Sequence, residues 1–333
     1  MPERIEFRFD GLLADRHQMD FYEASRFQYD AARLMVKLDQ FRQTGRFAQK
    51  ITYQNNTRIT LAAQGDGCFV IAALAPLAGQ IAEVFVTAPI SLMWSYVVDR
   101  IIKPATKEDL HLALENNRDL IGVFRAEIEE REETNRRTLD LLENRIARGD
   151  ELTLENTELR ERLLAEAERR AYLEGERAAL REISLEQDTK LISMAAPLIK
   201  GMGVALRSSA RTLNVTSTDD ADRRRIMFLN RKMASEVETS VVDDQPTLIL
   251  VKIVQYNRET GWGKLRIANE PGLLSFNVPS DLKEELQLPL ARAMIEDQTY
   301  IECVFVRSTR GIKTRAIVFS IRDLDEIEGD AVL

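Results

Sequence analysis

Leu248-Ile-Leu-Val-Lys-Ile-Val-Gln-Tyr256, the turn Asn257-Arg-Glu-Thr-Gly261 and the return Trp262-Gly-Lys-Leu-Arg-Ile267 decide how the last third of the chain folds. Runs rich in β-branched and aromatic residues, bounded by Asn and Gly, read as a β-hairpin. Gly272–Val278 reads as a third strand. Ser280 then opens a helix carrying Leu282, Leu286 and Leu288. Thr299–Val306 and Ile312–Phe319, joined by Arg307–Gly311, complete five strands. Three strands, a helix and two strands is the order expected of an OB-type barrel, with an SH3-like barrel as the alternative.

Working outward, the expected fold class is α+β: an α+β domain over residues 1–104, a helical hairpin or coiled-coil arm over 105–190, a helical connector over 191–245 and an OB-like barrel over 246–333. At the front, Ile5–Phe9 alternates as a strand. Phe21, Ala24, Phe27, Ala31, Leu34, Leu38 and Phe41 recur at helical spacing, with Gly45 as the stop. Arg58–Ala62 and Cys68–Ala72 around Gly65-Asp-Gly67 form a hairpin signal. In the connector, Leu185–Arg211 reads as a helix, Leu213–Thr216 as a short strand and Asp219–Glu236 as a helix. Gly201 and Gly203 read as close helix packing rather than as a nucleotide loop.

The charge is uneven. The 333 residues hold 46 Lys and Arg against 54 Asp and Glu, a net of −8. Residues 106–190 alone hold 15 basic and 23 acidic side chains, so the rest balances at 31 each. This segment has no proline and many i,i+4 Glu–Arg pairs, which favours a solvated helix. Its apolar beat is seven residues: Leu114, Ile121, Ile128, Asn135 and Leu142 on one heptad position, Leu152, Leu159, Leu173 and Leu180 on another. That thin seam predicts coiled-coil packing and a homo-oligomer, with Arg148-Gly149-Asp150 as the bend between two helices.

Four function classes follow. The first is a non-catalytic interaction or sensor protein built on the arm, which joins with itself or with a partner protein. The second is single-stranded nucleic-acid binding on the barrel, by Tyr256, Trp262, Lys264, Arg266, Phe276, Arg307, Arg310, Lys313 and Arg315, since aromatics beside cations stack bases and hold phosphates. Against it, residues 246–333 carry 11 basic and 13 acidic groups, so there is no global basic footprint. The third is metal binding or acid–base chemistry by Asp10, Asp15, His17 and Asp20, which are suitable ligand types; the rival role for these aspartates is capping. The fourth is membrane contact through residues 68–102, especially the Ile90–Ile102 helix with Trp94 and Tyr96. Two prolines and Glu83 break that stretch, and a buried core reading suits it better. No P-loop, zincin, nucleophile-elbow or C-x-x-C signature is present, and no cofactor is expected. Two distant cysteines and a charged N-terminus predict a cytoplasmic chain without a signal peptide.

Phe9-Asp10-Gly11, then Ala14-Asp15-Arg16-His17 and Asp20, then a long helix and an apolar hairpin resemble the N-terminal domain of a family of uncharacterised bacterial proteins. That family is associated with mobile elements and phage-defence neighbourhoods, and it resembles this chain in ending with a small β-barrel. The resemblance covers about the first hundred and last ninety residues and does not extend to the acidic arm. It implies a bacterial, cytoplasmic, accessory role and transfers no catalytic residue.

Overall fold

The computed structural model describes residues 3–47, 50–52, 56–57, 59–62, 69–75, 85–103, 105, 154–219, 222–238, 240–258, 260–296 and 298–322. The fold is α+β. Among the described residues there are seven α-helices, a five-stranded antiparallel sheet and a closed five-stranded barrel.

The sheet gathers β1 (Glu3–Asp10), β2 (Thr60–Ala62), β3 (Phe69–Ala75), β4 (Thr212–Asp219) and β5 (Asp222–Asn230), in the order β2-β3-β1-β4-β5. The β2–β3 pairing agrees with the hairpin read from sequence; its turn lies outside the described residues. Ile5, Phe7 and Phe9 alternate onto the buried face of β1, under the helices, while Arg4 and Arg8 point to solvent. Over that face lie α1 (Phe21–Thr44), α2 (Ile90–Ile101) and α5 (Leu185–Met202), in one core built around Phe7, Phe27 and Trp94.

The connector expectation is corrected here. Residues 191–245 are not helical throughout; β4 and β5 complete the N-terminal sheet, with Arg4 paired to Thr218 and Asp10 to Thr212. Asp222–Asn230 is a strand because Ile226-Met-Phe-Leu229 is a continuous buried run. The helix starts only at Arg231, as α6 (Arg231–Glu238). The glycine pair does mark close packing. A Cβ on Gly201 would stand 1.9 Å from Asp30 Oδ2 of α1, and one on Gly203 2.9 Å from the Ala234 methyl of α6.

The arm is corrected too, so far as it is described. From residue 154 it forms α3 (Leu154–Gly175), laid on β5 and α2 rather than projecting, then the short α4 (Arg177–Leu180) and the start of α5. Acidic groups of α3 meet both ends of β5: Glu168 bonds Arg225 near its basic start, and Glu158 accepts from Asn230 at its end, at 3.1 Å. The Arg224 guanidinium lies over Tyr172. Leu173 and Leu180, expected on an oligomer seam, are 0% and 4% exposed inside the chain's own core, and Leu159 is half-buried. A helix that packs on a sheet also needs an apolar stripe, and the sequence period did not separate the two cases. The other seam positions, Leu114, Ile121, Ile128, Asn135, Leu142 and Leu152, lie outside the described residues.

The barrel comprises β7 (Thr247–Asn257), β8 (Trp262–Ile267), β9 (Leu274–Asn277), β10 (Thr299–Ser308) and β11 (Lys313–Arg322). They pair in the order β11-β9-β8-β7-β10, and β10 closes on β11. β6 (Ser240–Val242) adds outside β10. Helix α7 (Lys283–Ala293) puts Leu286, Leu290 and Ala293 into the barrel core. Strands β10 and β11 are buried on both faces. Ile301, Cys303, Phe305, Ala316 and Val318 fill the barrel, while Val304, Val306, Ile317 and Phe319 join the body's core. Each such side chain contributes on the order of 2 kcal/mol of burial, so the barrel is welded to the body.

Candidate functional site

The metal candidates do not converge. Asp10 pairs with Arg8 at 3.0 Å, Asp15 accepts from Gly11 N at 2.6 Å, and Asp20 caps α1 by accepting from Glu23 N at 3.0 Å. His17 is exposed in a left-handed turn at φ 57°. No group of three metal-ligating residues exists among the described residues. Local sequence spacing brought these residues into one loop, where Asp20 caps α1, Asp15 takes a turn amide and Asp10 pairs with Arg8.

The membrane candidate is corrected as well. Helix α2 is the centre of the body, with Trp94 0% and Tyr96 2% exposed, so its apolar side chains face protein. Leu185–Leu206 is long and apolar enough to cross a bilayer, but it is largely buried against the rest of the body.

The residues expected to form a nucleic-acid groove do not share one face. Phe276 lies wholly inside the barrel, stacked on the half-buried Tyr256 ring at 6.0 Å; burial pushes the Tyr256 hydroxyl up to about 12. Arg307 is clasped by Asp243 through three bonds of 2.8–3.0 Å, and Lys313 is held by Glu270 at 2.6 Å. Arg315 is buried and donates from Nη2 to the carbonyls of Arg100 and Ile101, both at 3.2 Å. Lys264, Arg266 and Arg310 remain exposed, and Trp262 is half-buried. Strand alternation divides this set between the barrel's inside and outside, which the sequence alone could not assign.

The densest chemistry sits where α2 ends against the barrel. Arg100 donates through Nη1 and Nη2 to the two Asp281 oxygens, both at 3.0 Å, and through Nε to Asp188 at 2.9 Å. Its guanidinium stacks 3.5 Å over the Tyr96 ring. Beside it, Asp99 accepts from the backbone N and hydroxyl of Ser280 at 2.9 and 3.0 Å and faces Arg169 at 3.7 Å. Burial pushes the Asp188 carboxyl up to about 6 against the pull of Arg100. Burial would raise Asp99 too, but Arg169 and the Ser280 N–H outweigh it and hold it below the usual carboxylate range. At the other end of α2, the buried Glu3 carboxylate accepts from Ile90 N at 2.8 Å and Ser91 N at 2.9 Å. Sequence reading missed this cluster. Its signal was Asp99-Arg100, a charged pair at the end of an otherwise apolar helix.

A second feature missed in sequence is the outer face of α1. Phe21, assigned there to the core stripe, is 86% exposed; Tyr22 is 71% and Tyr29 55% exposed. Tyr22 and Tyr29 are seven residues apart and share a face with Arg26 and Arg33, whose guanidinium lies over Tyr29 at 5.2 Å.

Set against known protein families, curated proteins and solved structures, the chain matches none.

Proposed function

We propose that this chain is a non-catalytic interaction protein that works as an oligomer, its barrel serving as a structural part of the body. The observation that carries the reading is the exposed aromatic row Phe21, Tyr22 and Tyr29 on α1. Single exposed apolar residues are ordinary, but aromatics gathered on one helix are the composition of a protein-binding surface. The heptad positions Leu114 to Leu152 add a sequence pattern suited to self-association; a coiled-coil arm there is part of the proposal. The OB type of the barrel belongs to it too, supported by the order β7-β8-β9-β11-β10, the parallel β9–β11 pair and α7 between β9 and β10. A cytoplasmic place in a bacterial accessory system, with a role in phage defence, rests on the resemblance carried by Phe9–Asp20.

Light scattering of the full chain across a concentration series tests the reading. The expected mass exceeds that of one chain, and Tyr22→Ser with Tyr29→Ser lowers it while the far-UV spectrum stays unchanged. A parent chain that remains monomeric throughout defeats the proposal.

A further inference from the structure

The outward face of β8, β9 and β11 carries three buried polar atoms that have no hydrogen-bond partner among the described residues: Trp262 Nε1, Asn277 Oδ1 and Arg315 Nη1. Strand register puts them together. Trp262 is paired with Asn277 across β8–β9, while Asn277 and Ser275 neighbour Ile317 and Arg315 across β9–β11. The Arg315 guanidinium carbon is 5.9 Å from the Trp262 ring centre, and the Lys103 ammonium is 5.7 Å from it on the body side. Arg315 and Asn277 are 6% and 3% exposed, whereas Lys103 is exposed at the rim.

Among the described residues, Arg315 is a buried cation whose hydrogen bonds go to two backbone carbonyls. Those carbonyls end α2, so the helix dipole offsets part of its charge. Burial still pulls the guanidinium down to about 10. The Glu236 and Asp99 carboxylates offset part of that cost, while the open hydrogen bonds still lack partners among the described residues. Two of the three open groups are donors, one of them cationic, and with the Lys103 ammonium at the rim they suit an anion with several acceptor oxygens.

We propose that the barrel–body junction is a binding site for a phosphate group, taken by Arg315 Nη1, the Trp262 indole N–H and the Lys103 ammonium. This is a single-anion site, independent of the oligomer reading. Its source is either a free or terminal phosphate or a nucleic-acid backbone phosphodiester, since both offer the same oxygens.

The test is a thermal-unfolding titration of the full chain with inorganic phosphate, adenosine monophosphate and a short oligothymidylate, each against sodium chloride at equal ionic strength. Two variants go with it: Trp262→Phe, which keeps a ring and loses the N–H, and Lys103→Ala at the exposed rim. A ligand that binds the folded state raises the midpoint, and each variant is expected to weaken apparent affinity about tenfold. A rise with phosphate and the mononucleotide alone assigns a terminal phosphate; a rise with the oligonucleotide assigns a backbone phosphodiester. No rise with any of the three overturns the site, and so does a rise that both variants retain.

Discussion

Arg100 and Asp281 meet as a two-bonded ion pair across the junction, with both nitrogen–oxygen distances at 3.0 Å. Arg100 ends the buried helix of the body, and Asp281 opens the turn before the barrel's helix. The pair therefore fixes how the barrel sits, because a guanidinium fork accepts a carboxylate in one plane only. Asp188 takes the third side of the same guanidinium.

Arg100→Ala strands two buried carboxylates, 3% and 5% exposed. Removing one partner of a buried ion pair costs about 3–5 kcal/mol. Urea unfolding of the variant is expected to show an unfolding free energy lowered by that amount and a correspondingly lower midpoint, with Asp281→Asn milder because the amide oxygen still accepts. An Arg100→Ala midpoint equal to the parent's would contradict the structural role of the pair.

Acidity should act on Asp188 in the unusual direction. Its carboxyl is raised from 3.8 to about 6 in the fold, facing Arg100 and Tyr96 of α2 and Asp281 of the barrel turn. Between those values the folded chain binds more protons than the unfolded one, so this group adds stability as pH falls through the window and removes it as pH rises. Asp99, held below 3.8, does the opposite: its contribution is present above that value and is lost on stronger acidification. Asp188→Asn is expected to deprive the chain of the acid-side gain, so that the variant loses more stability than the parent between about pH 6 and pH 4. Parallel stability curves for the two proteins would show that Asp188 does not titrate there.

Packing of the barrel core depends on a glycine. A Cβ on Gly263 would stand 2.3 Å from Phe276 Cε1 and 2.4 Å from the Gln255 carbonyl oxygen. The backbone atom cannot swing aside, and the ring is packed in the core. Gly263→Ala is expected to cost about 1–3 kcal/mol by overpacking, read as a lowered thermal midpoint. Gly272→Ala is a poor control because its φ is +95°. Gly175→Ala is a better one, since nothing lies within 4 Å of its added Cβ.

The barrel strands were legible because alternation and turn residues are local signals. Trp262–Ile267 is a strand within the same bounds in sequence and structure. What the sequence hid was partnership at a distance. Pairing of Phe7 with Val215 joins segments some two hundred residues apart, so the connector looked separate from the first domain. Arg223-Arg224-Arg225 fall within the stretch Asp219–Glu236 read as a helix, yet in the fold these arginines reach Glu6, Tyr172 and Glu168 from a strand. The candidate nucleic-acid set failed on parity. Phe276 and Arg315 both lie on barrel strands, but one points into the barrel and the other out of it toward α2.

Helix α2 gives the last test, because its two ends are satisfied by charges from distant strands. Its N-cap, Pro89, offers no side-chain acceptor, and the carboxylate of Glu3 on β1 takes the Ile90 and Ser91 amides instead. The anion also suits the positive end of the helix dipole. Ser217 of β4 donates to the same carboxylate at 3.1 Å, which ties the first and fourth strands to the helix. Glu3→Ala leaves buried N–H groups unpaired, at about 1–3 kcal/mol; Glu3→Gln keeps one good acceptor and costs about 1 kcal/mol. Hydrogen exchange separates this role from general destabilisation. The Ile90 and Ser91 amides should lose protection in Glu3→Ala by more than the global change, while amides of the barrel strands follow the global value. Equal losses in both places would mean that Glu3 stabilises the body without capping α2.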